Sequence, residues 1–531
     1  MMTLRRFAVW AALCLLGLIV GLPFANRAQA QSAEAGQGVA VPFHAQAVMS
    51  DKAPELTPDQ LSAREKFLAN RPRPLQTPSA EGFQRMTPET DPSVPKSNPT
   101  AEGAQAAPQA PNTMTYFRLK AQNPLPTSSH SDILEPSVGT SGSVVFLTGN
   151  WTAMRSTDGG QNFSFVNPYT TFPSLDGGFC CDQTVIYDRS RDLFAWSLQY
   201  IKSNSTTTGR GSWRTAFATS AGVAAGSWCT YDWNPGSFGL GAGLWLDYPD
   251  VAITNTFVYY SVNAFTTNTD TWQRTIIWRI PLDQAKACQT VNFSYFTVND
   301  RFTFSLAQGA TNTMYFFSHN NTSSERLYNW PDGSGTIGWN DVPVTTWFDG
   351  TRTCTGPDGL NWCGRADGAH GRTSWVSGGV IGTMWSSAAG GGRPLPYIRV
   401  GRFNESTKAL VNEPDVWNPS VAFIYNNVGI NARGHLAGVL YYGNSSTYQT
   451  MATLIWDDFS TAPPGWELYN VVTSGKGTAS RWGDYYSTRP HGAFPNTWVA
   501  SGTNKLTDGT VQAIYLWFGR ERDNPTTPAC S

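Results

Sequence analysis

The strongest constraint on the fold is the long region after Tyr116, where short apolar and aromatic runs alternate with Gly, Asn, Asp and Ser and no helical repeat occurs. A β region of this length must divide into several domains or close on itself, because closure removes exposed sheet edges. Similar segments return after roughly 50 to 60 residues, which favours closure of a repeated unit. The seven segments that we mark begin at Glu135, Cys180, Asp247, Phe302, Gly371, Asn426 and Arg481.

Within several segments a strand is followed by a turn such as "TSGS" or "YDRSRD" and then by an aromatic-rich strand such as "NTFVYYSV". This is the pattern of a β-hairpin inside a four-stranded unit. We therefore predict an all-β fold, a single β-propeller over residues 114–525 with seven blades. Six blades, or two β sandwiches, remain alternatives because the segments share a pattern more than they share residues.

The first 30 residues have the pattern of a secretory signal peptide. Arg5 and Arg6 precede an apolar run that extends to about Leu22, and Ala28-Gln29-Ala30 places small residues where cleavage occurs. We expect a cleaved signal peptide over residues 1–30 and a secreted or periplasmic protein. No later segment has the roughly 18 uninterrupted apolar residues that a membrane-spanning helix needs.

Residues 31–113 are rich in Pro, Ala, Ser and Gln and have little apolar periodicity, which predicts a mostly disordered leader. One short helix is expected near residues 57–69. Thr57 is its N-cap, Pro58 its first helical residue and Gln60 the second partner of a capping box.

The charge of the chain argues against several partners. Only 14% of the residues are charged and the formal net charge is -1, so we expect no nucleic-acid partner and no anionic membrane surface. We also expect no cofactor and no metal site. A structural Ca²⁺ at acidic strand starts stays open, although no ligand run of the EF-hand type supports it.

Of the 8 cysteines, Cys14 lies in the signal segment, which leaves seven in an oxidising compartment. Cys354 and Cys363 bracket a short loop and are expected to pair. Cys180 and Cys181 are adjacent, and a bridge between them would be strained. We therefore expect one of the two to pair with Cys229.

The stretch "STDGGQNF" contains Ser156, Asp158, Gly160 and Phe163 in the pattern Ser-x-Asp-x-Gly-x-x-aromatic. It resembles the Asp box, or bacterial neuraminidase repeat, of sialidase-like propellers. The resemblance implies that Asp158 accepts turn N–H groups, that Gly160 adopts a conformation opposed by a Cβ, and that Phe163 anchors the next strand. These roles are structural, so the motif indicates a fold and not an activity.

Other sialidase features are missing or misplaced. The Arg-Ile-Pro sequence at Arg279–Pro281 follows the motif instead of preceding it and reads as an ordinary strand. We therefore assign no sialidase catalytic residue to this chain. "RWGDYYSTRP" is similar to an Arg-Trp-Gly-Asp-Tyr segment of secreted sialidase-like propeller families, which would place Arg481 to Tyr485 at the start of the last inner strand.

Polar residues near the predicted strand starts are expected to converge around the mouth of a central channel. The full set is Asp182, Asp247, Asp250, Arg365, His370, Arg372, Arg433, His435, Arg481, Asp484, Tyr485, Arg489 and His491. The catalytic candidates are Asp182, Asp247, Asp250, Asp484 and Tyr485. The substrate-binding candidates are Arg365, Arg372, Arg433, Arg481 and His491. Arginine suits a carboxylate or sulfate because its fork donates two parallel hydrogen bonds, but the same charges could pair with each other and only tie blades together.

Two reactions fit this inventory. A glycoside hydrolase needs two carboxyl groups about 5 to 9.5 Å apart. A lyase that acts on a uronic acid needs arginine for the carboxylate and a residue such as His or Tyr to remove the proton. We expect a monomeric, glycan-directed propeller that acts as a hydrolase or lyase on an anionic extracellular glycan. The alternative is a non-catalytic scaffold that binds carbohydrate or protein.

Overall fold

A computed structural model of the protein describes residues 31–53, 56–62, 112–121, 134–364, 366, 368–369, 371–460, 465–477 and 483–525. The predicted signal peptide, much of the leader and the candidates Arg365, His370 and Arg481 lie outside the described residues. The all-β prediction is confirmed, because the described chain consists mainly of strands. Its α-helices are short: α1 (58–62), α2 (Ser220–Ala225) and α3 (Leu282–Lys286). None of the helices in these residues is long and apolar enough to cross a membrane.

The N-terminal part of the chain contributes five strands. These are β1 (Gln31–Glu34), β2 (Gly36–Ala40), β3 (Phe43–Gln46), β4 (Met49–Ser50) and, after α1, β5 (Met114–Ala121).

The strands that follow form antiparallel meanders, in which each strand pairs with the next. The first meander is β6 (Ser137–Thr140), β7 (Val145–Thr148), β8 (Ala153–Ser156) and β9 (Ser164–Val166). The second is β10 (Phe179–Asp188), β11 (Leu193–Tyr200), β12 (Trp213–Ala218) and β13 (Ser227–Trp233). The third is β14 (Leu244–Ile253), β15 (Phe257–Thr266), β16 (Trp272–Pro281) and β17 (Val291–Val298).

Four further meanders complete the chain. The fourth is β18 (Ser305–Gln308), β19 (Thr313–Asn321), β20 (Ser324–Pro331) and β21 (Thr336–Pro343). The fifth is β22 (Thr373–Ser377), β23 (Val380–Ser387), β24 (Tyr397–Asn404) and β25 (Leu410–Asn412). The sixth is β26 (Ala422–Ile430), β27 (Leu436–Asn444), β28 (Thr447–Trp456) and β29 (Glu467–Thr473). The seventh has β30 (Thr488–Pro490), β31 (Trp498–Lys505) and β32 (Val511–Arg520).

The meanders follow one another in a ring. Their first strands contact each other in chain order, and β30 and β31 lie against β6 of the first meander. The seventh meander takes its fourth strand from the N-terminal part of the chain, because β5 pairs antiparallel with β32. The segment starts marked in the sequence fall within or close to the first strands of these meanders.

Local sequence explains both the turns and the strands. In "YDRSRD", between β10 and β11, the backbone N–H of Ser190 donates to Asp188 Oδ1 at 2.9 Å and Asp192 takes a φ of 49°. Asp is suited to this turn because its side chain bonds the backbone and tolerates the left-handed region. Every residue of β11 is buried, since both faces of its sheet are covered by neighbouring meanders.

The hydrophobic core lies between successive sheets and is filled by aromatic side chains. Between the second and third meanders, Trp233 lies 5.9 Å from Trp278 and 4.9 Å from Phe293, measured between ring centroids. Between the seventh and first meanders, Val499 and Tyr515 share one core cluster with Val145. The high aromatic content of the sequence is therefore used to join neighbouring sheets.

The first part of the leader differs from the loose segment that we expected. Strands β1, β2, β3 and β4 pair with the outer strands β21, β17, β13 and β9 in turn, and so add a fifth strand to the fourth, third, second and first meanders. The physical reason is that backbone hydrogen bonds to an open sheet edge order a segment that has few apolar side chains. The capping-box contacts of α1 are present, from Thr57 N to Gln60 Oε1 at 2.8 Å and from Gln60 N to Thr57 Oγ1 at 3.2 Å.

Three disulfides occur in the described chain. The predicted pair Cys354–Cys363 is confirmed. The predicted link from Cys180 or Cys181 to Cys229 is wrong, because Cys180 and Cys181 bridge each other and Cys229 pairs with Cys288. Cys229 lies on β13 of the second meander, and Cys288 follows α3 of the third meander. The two cysteines are brought together because the second and third meanders pack against each other, which is a tertiary contact.

Candidate functional site

A small cavity lies at the centre of the ring. Side chains from several meanders line it, among them Asp250, Arg372, Asn427, Tyr485 and Arg489. Its volume is about 30 Å³. Since one water needs about 10 to 15 Å³ in this measure, the cavity can hold a carboxylate or a few waters but not a sugar ring.

Irregular backbone shapes one side of the cavity. A bulge interrupts β14 between Asp247 and Asp250, and Tyr248 within it has a φ of 59°. The Tyr248 hydroxyl accepts a hydrogen bond from Gly371 N at 2.8 Å, and its ring meets the ring of Tyr485 edge-on at 6.0 Å. Bulges and left-handed non-glycine residues re-aim side chains and concentrate at functional sites.

Asp250 places a carboxylate on the cavity wall. Its two oxygens accept hydrogen bonds from Val251 N and Leu306 N, each at 2.7 Å, so the group also ties β14 to β18. Burial raises the pKa of Asp250 to about 6, although these bonds and the charge of Arg489 oppose the rise. A carboxylate has about four lone-pair sites, so Asp250 retains capacity for a proton or a ligand.

Arg489 is a buried cavity residue with few close partners. It is 7% exposed, and its guanidinium makes only long contacts, to Thr488 O at 3.3 Å and Val251 O at 3.5 Å. Its Nε has no hydrogen-bond partner, and no carboxylate oxygen of the described residues lies within 4.0 Å of it. Burial lowers the pKa of Arg489 to about 10, which still leaves it charged at neutral pH.

Arg372, by contrast, is fixed by a buried ion pair. Its Nη2 donates to Glu325 Oε2 at 2.6 Å, and Glu325 Oε1 lies 2.7 Å from His319 Nδ1. Burial alone would raise the pKa of Glu325, but the charges of Arg372 and His319 lower it. His319 Nε2 lies 2.7 Å from Gly368 O, so the cluster also holds the loop that leads into β22.

The other three carboxyl candidates, Asp182, Asp247 and Asp484, are not among the residues that line the cavity. Asp247 is 4% exposed and accepts hydrogen bonds from Gln199 Nε2 and Tyr248 N, while Asp182 is fully buried near the same glutamine. The backbone N–H of Asp484 donates to Glu135 Oε1 at 2.8 Å.

Tyr485 does line the cavity, and its hydroxyl bonds the backbone of Gln183, accepting from N at 3.1 Å and donating to O at 3.3 Å. The structure therefore brings together four members of the predicted set, Asp250, Arg372, Tyr485 and Arg489.

Two predicted binding residues lie away from the cavity. Arg433 is in the turn after β26 and pairs with Asp523 at 2.6 Å. His491 follows the last residue of β30 and stacks on Trp517 at 4.4 Å, and burial lowers its pKa to about 3. Neither residue is among those that line the central cavity.

The turn at residues 156–163 has the contacts inferred for it. Asp158 Oδ1 accepts hydrogen bonds from Gln161 N at 3.0 Å and Asn162 N at 2.9 Å. Desolvation opposes them, but these bonds and that from Ser156 lower the pKa of Asp158 to about 2. Gly160 has a φ of 86°, and a Cβ there would lie 2.3 Å from the ring of Tyr515. The turn lies between β8 and β9, away from the central cavity, and its contacts are structural.

Three described residues have the side-chain types and spacing of a metal site, namely His435, Asp457 and Asp458. Both carboxylates are engaged by arginine forks, Asp457 by Arg520 at 2.8 Å and Asp458 by Arg522 at 2.7 Å. This arrangement is that of an ion-pair cluster, and we assign no metal to it.

Three buried residues of this region, Glu325, His319 and Glu135, were not predicted from the sequence. Glu325 and His319 lie on β20 and β19, whereas the predicted residues lie near the starts of first strands. The low number of charged residues could have pointed to Glu325, because each carboxylate in such a chain can be considered individually. A carboxylate that is fully buried needs a charged or hydrogen-bonding partner.

Neither a protein-family model nor a curated protein sequence matches the chain. Similar solved structures include an α-L-arabinofuranosidase from Fusarium graminearum, at 9% identity and a TM-score of 0.37, with 76% of this chain and 98% of that chain covered. Trypanosoma rangeli sialidase shows 9% identity and a TM-score of 0.32, with coverage of 63% and 54%. An ulvan lyase shows 8% identity and a TM-score of 0.31, with coverage of 64% and 80%. At TM-scores this low these similarities carry no argument about the family or the activity of this chain.

Proposed function

We propose that the protein acts on an anionic glycan, and that a carboxylate or sulfate of this glycan binds in the central cavity beside Arg489. The observation that supports this best is the buried guanidinium of Arg489, which no carboxylate of the described residues pairs. A buried arginine is ordinarily paired, because an uncompensated charge destabilises the folded state. A buried arginine without a paired carboxylate, at the centre of the ring, is suited to bind the anionic group of a ligand.

The cavity dimensions define the mode of binding. A volume of about 30 Å³ accepts the anionic group while the sugar ring stays at the mouth. Arg489 would bind the anion directly, and Arg372 would add positive charge from a wall where Glu325 fixes its position. An acidic sugar is therefore favoured over a neutral one.

The inventory of carboxyl groups favours elimination over hydrolysis. A hydrolase needs two carboxyl groups at the scissile bond, and among the described carboxyl candidates only Asp250 lines the cavity. In a uronic acid, Asp250 in its ionised form would take the proton from C5 while Arg489 neutralises the sugar carboxylate. The C4–O bond then breaks, the electron pair forms a C4–C5 double bond, and the leaving oxygen takes up a proton.

A panel of neutral, sialylated, uronic-acid and sulfated glycans tests this proposal. We expect unsaturated products, detected by absorbance, from uronic-acid glycans, and loss of product formation in Arg489→Gln and Asp250→Asn. Arg433→Gln is the matched control, because this arginine lies away from the cavity.

Each other outcome has a defined meaning. New reducing ends without unsaturated product would replace the elimination with hydrolysis. Binding of acidic glycans that depends on Arg489 but yields no product would identify a non-catalytic recognition scaffold. Absence of binding to every acidic glycan would overturn the anion site.

We further propose that the seven meanders are the blades of one propeller over residues 114–525, with Ser156–Phe163 as an Asp box, and that the protein is exported. The ring order of the first strands and the three disulfides support these proposals. An experimental structure tests the blade number. N-terminal sequencing of the exported protein tests cleavage before Gln31.

A further inference from the structure

We infer that a second cavity, beside the first residues of β10, binds a neutral sugar ring of the glycan whose acidic group occupies the central cavity, an inference that rests on the proposed function. The second cavity has a volume of about 190 Å³, several times that of the central cavity. It lies between the first and second meanders, with Gln60 of α1 on one wall.

The wall of this cavity is rigid and apolar. Cys180 lines it, and the disulfide between Cys180 and Cys181 packs against Trp151, which also lines the cavity. Tyr169 and Phe179 form a second aromatic wall, with their ring centroids 4.9 Å apart. Apolar walls of this kind suit the C–H face of a sugar ring, because pockets for small molecules combine apolar surface with a few placed polar groups.

The polar groups of the cavity suit hydroxyl groups and not charge. Gln60 Oε1 accepts from Thr57 N, and its amide nitrogen makes no hydrogen bond within the described part of the chain. Ser174 offers an exposed hydroxyl. None of the described side chains that line this cavity is charged, so a neutral sugar fits it better than an acidic one.

One strand connects the two cavities. Cys180 lines the second cavity and Thr184 the central one, and both lie on β10. Four residues of strand span at most about 13 Å, at a rise of about 3.3 Å per residue. A short oligosaccharide can therefore place an acidic group in the central cavity and a neutral ring against the disulfide at the same time.

The experiment measures affinity against glycan length. The wild-type protein should bind an acidic oligosaccharide that carries neutral sugars more tightly than the acidic monosaccharide alone. Tyr169→Ala should weaken binding of the oligosaccharide about twofold to tenfold, the range for loss of one aromatic contact, and leave the monosaccharide affinity unchanged. Gln60→Ala should act in the same direction. Tyr448→Ala is the matched control, because Tyr448 is a half-buried tyrosine that lines neither cavity.

The outcomes separate this inference from the proposed function. Arg489→Gln should weaken both ligands, and if it does while Tyr169→Ala changes neither, the second sugar site is refuted and the anion site stands. If wild-type affinity does not depend on glycan length and Tyr169→Ala only lowers the stability, the cavity is filled by the chain itself and the inference is overturned.

Discussion

Replacing Arg489 with methionine should stabilise the free protein while it removes anion binding. The reason is that the folded state buries a guanidinium that no carboxylate of the described residues contacts. Methionine keeps much of the aliphatic volume and carries no charge. Most substitutions of a buried arginine destabilise a protein, so the expected sign is diagnostic.

The size of the effect follows from the pKa. Burial lowers the pKa of Arg489 from its usual range above about 12 to about 10, and at about 1.4 kcal/mol per tenfold change the buried charge costs about 3 kcal/mol. The arginine is charged at every pH below this value, so the cost applies throughout the neutral range. Near pH 5 Asp250 is mostly protonated, and the gain from removing the arginine should be largest. Near pH 8 Asp250 is ionised and is stabilised by the charge of Arg489. Arg489→Met removes this attraction, so the gain in the free energy of unfolding should be smaller at pH 8 than at pH 5.

Urea unfolding of the wild type and Arg489→Met at pH 5 and pH 8 measures these differences. Arg372→Met is the matched comparison, because Arg372 is equally buried but pairs with Glu325 at 2.6 Å. Removing one partner of a buried ion pair typically costs about 3 to 5 kcal/mol. Two buried arginines of the same cavity should thus respond in opposite directions.

An Arg489→Met variant that is destabilised at pH 5 as strongly as Arg372→Met would contradict this prediction. That result would mean that the guanidinium of Arg489 stabilises the fold through contacts with its neighbours. A stable Arg489→Met that still binds acidic glycans with wild-type affinity would leave the stability argument intact and remove the anion site.

Three other predictions follow from named contacts. The affinity of the protein for a uronate should fall as the pH rises above about 6. Burial raises the pKa of Asp250 to about 6, so above this pH the residue is a second negative charge in the cavity. Calorimetry should show no such pH dependence of the affinity in Asp250→Asn. Asp158→Ala should lower the free energy of unfolding by about 1 kcal/mol after allowance for solvent screening. Desolvation raises the pKa of Asp158, but hydrogen bonds outweigh it and hold this pKa at about 2. The stabilisation by the ionised Asp158 is therefore present above about pH 4 and is lost as the pH falls towards 2. Urea unfolding across that pH range would detect this loss. Joint replacement of Cys229 and Cys288 by serine should lower the stability by about 4 kcal/mol, since their bridge closes a separation of 59 residues, and an unchanged unfolding midpoint would contradict this.

The fold could be predicted from the sequence to the extent that its signals are local. Aromatic-rich strands and turns such as "YDRSRD" determine hairpins by themselves, so their recurrence located the first strands near Glu135 and Asp247. The Cys354–Cys363 bridge was predictable because its partners are nine residues apart. The partner of Cys229 was not, because the bridge joins elements that only the packing of neighbouring meanders brings together.

Asp250 and Arg372 could be placed at the cavity from the sequence because each lies within three residues of a marked segment start, Asp247 or Gly371. Arg433 does not line the cavity, because β26 extends to Ile430 and Arg433 lies in the turn that follows this strand. Glu325 lies on a third strand, and its role depends on a contact with the next meander. Strand length and contacts between meanders are tertiary properties that residue types near a segment start do not encode.

The leader shows most clearly why composition is an incomplete guide to order. Its residues from Gln31 to Ser50 have too few apolar side chains to form a core, and several, such as Val39 and Val41, are exposed. They are ordered because β1 to β4 hydrogen-bond to the outer edges of four meanders, in the reverse of the chain order of those meanders. This order depends on edges that the meanders must already present, whereas β5 supplies the strand that completes the seventh sheet. Composition measures what a segment can bury by itself, and the order of this leader comes from the edges to which it pairs.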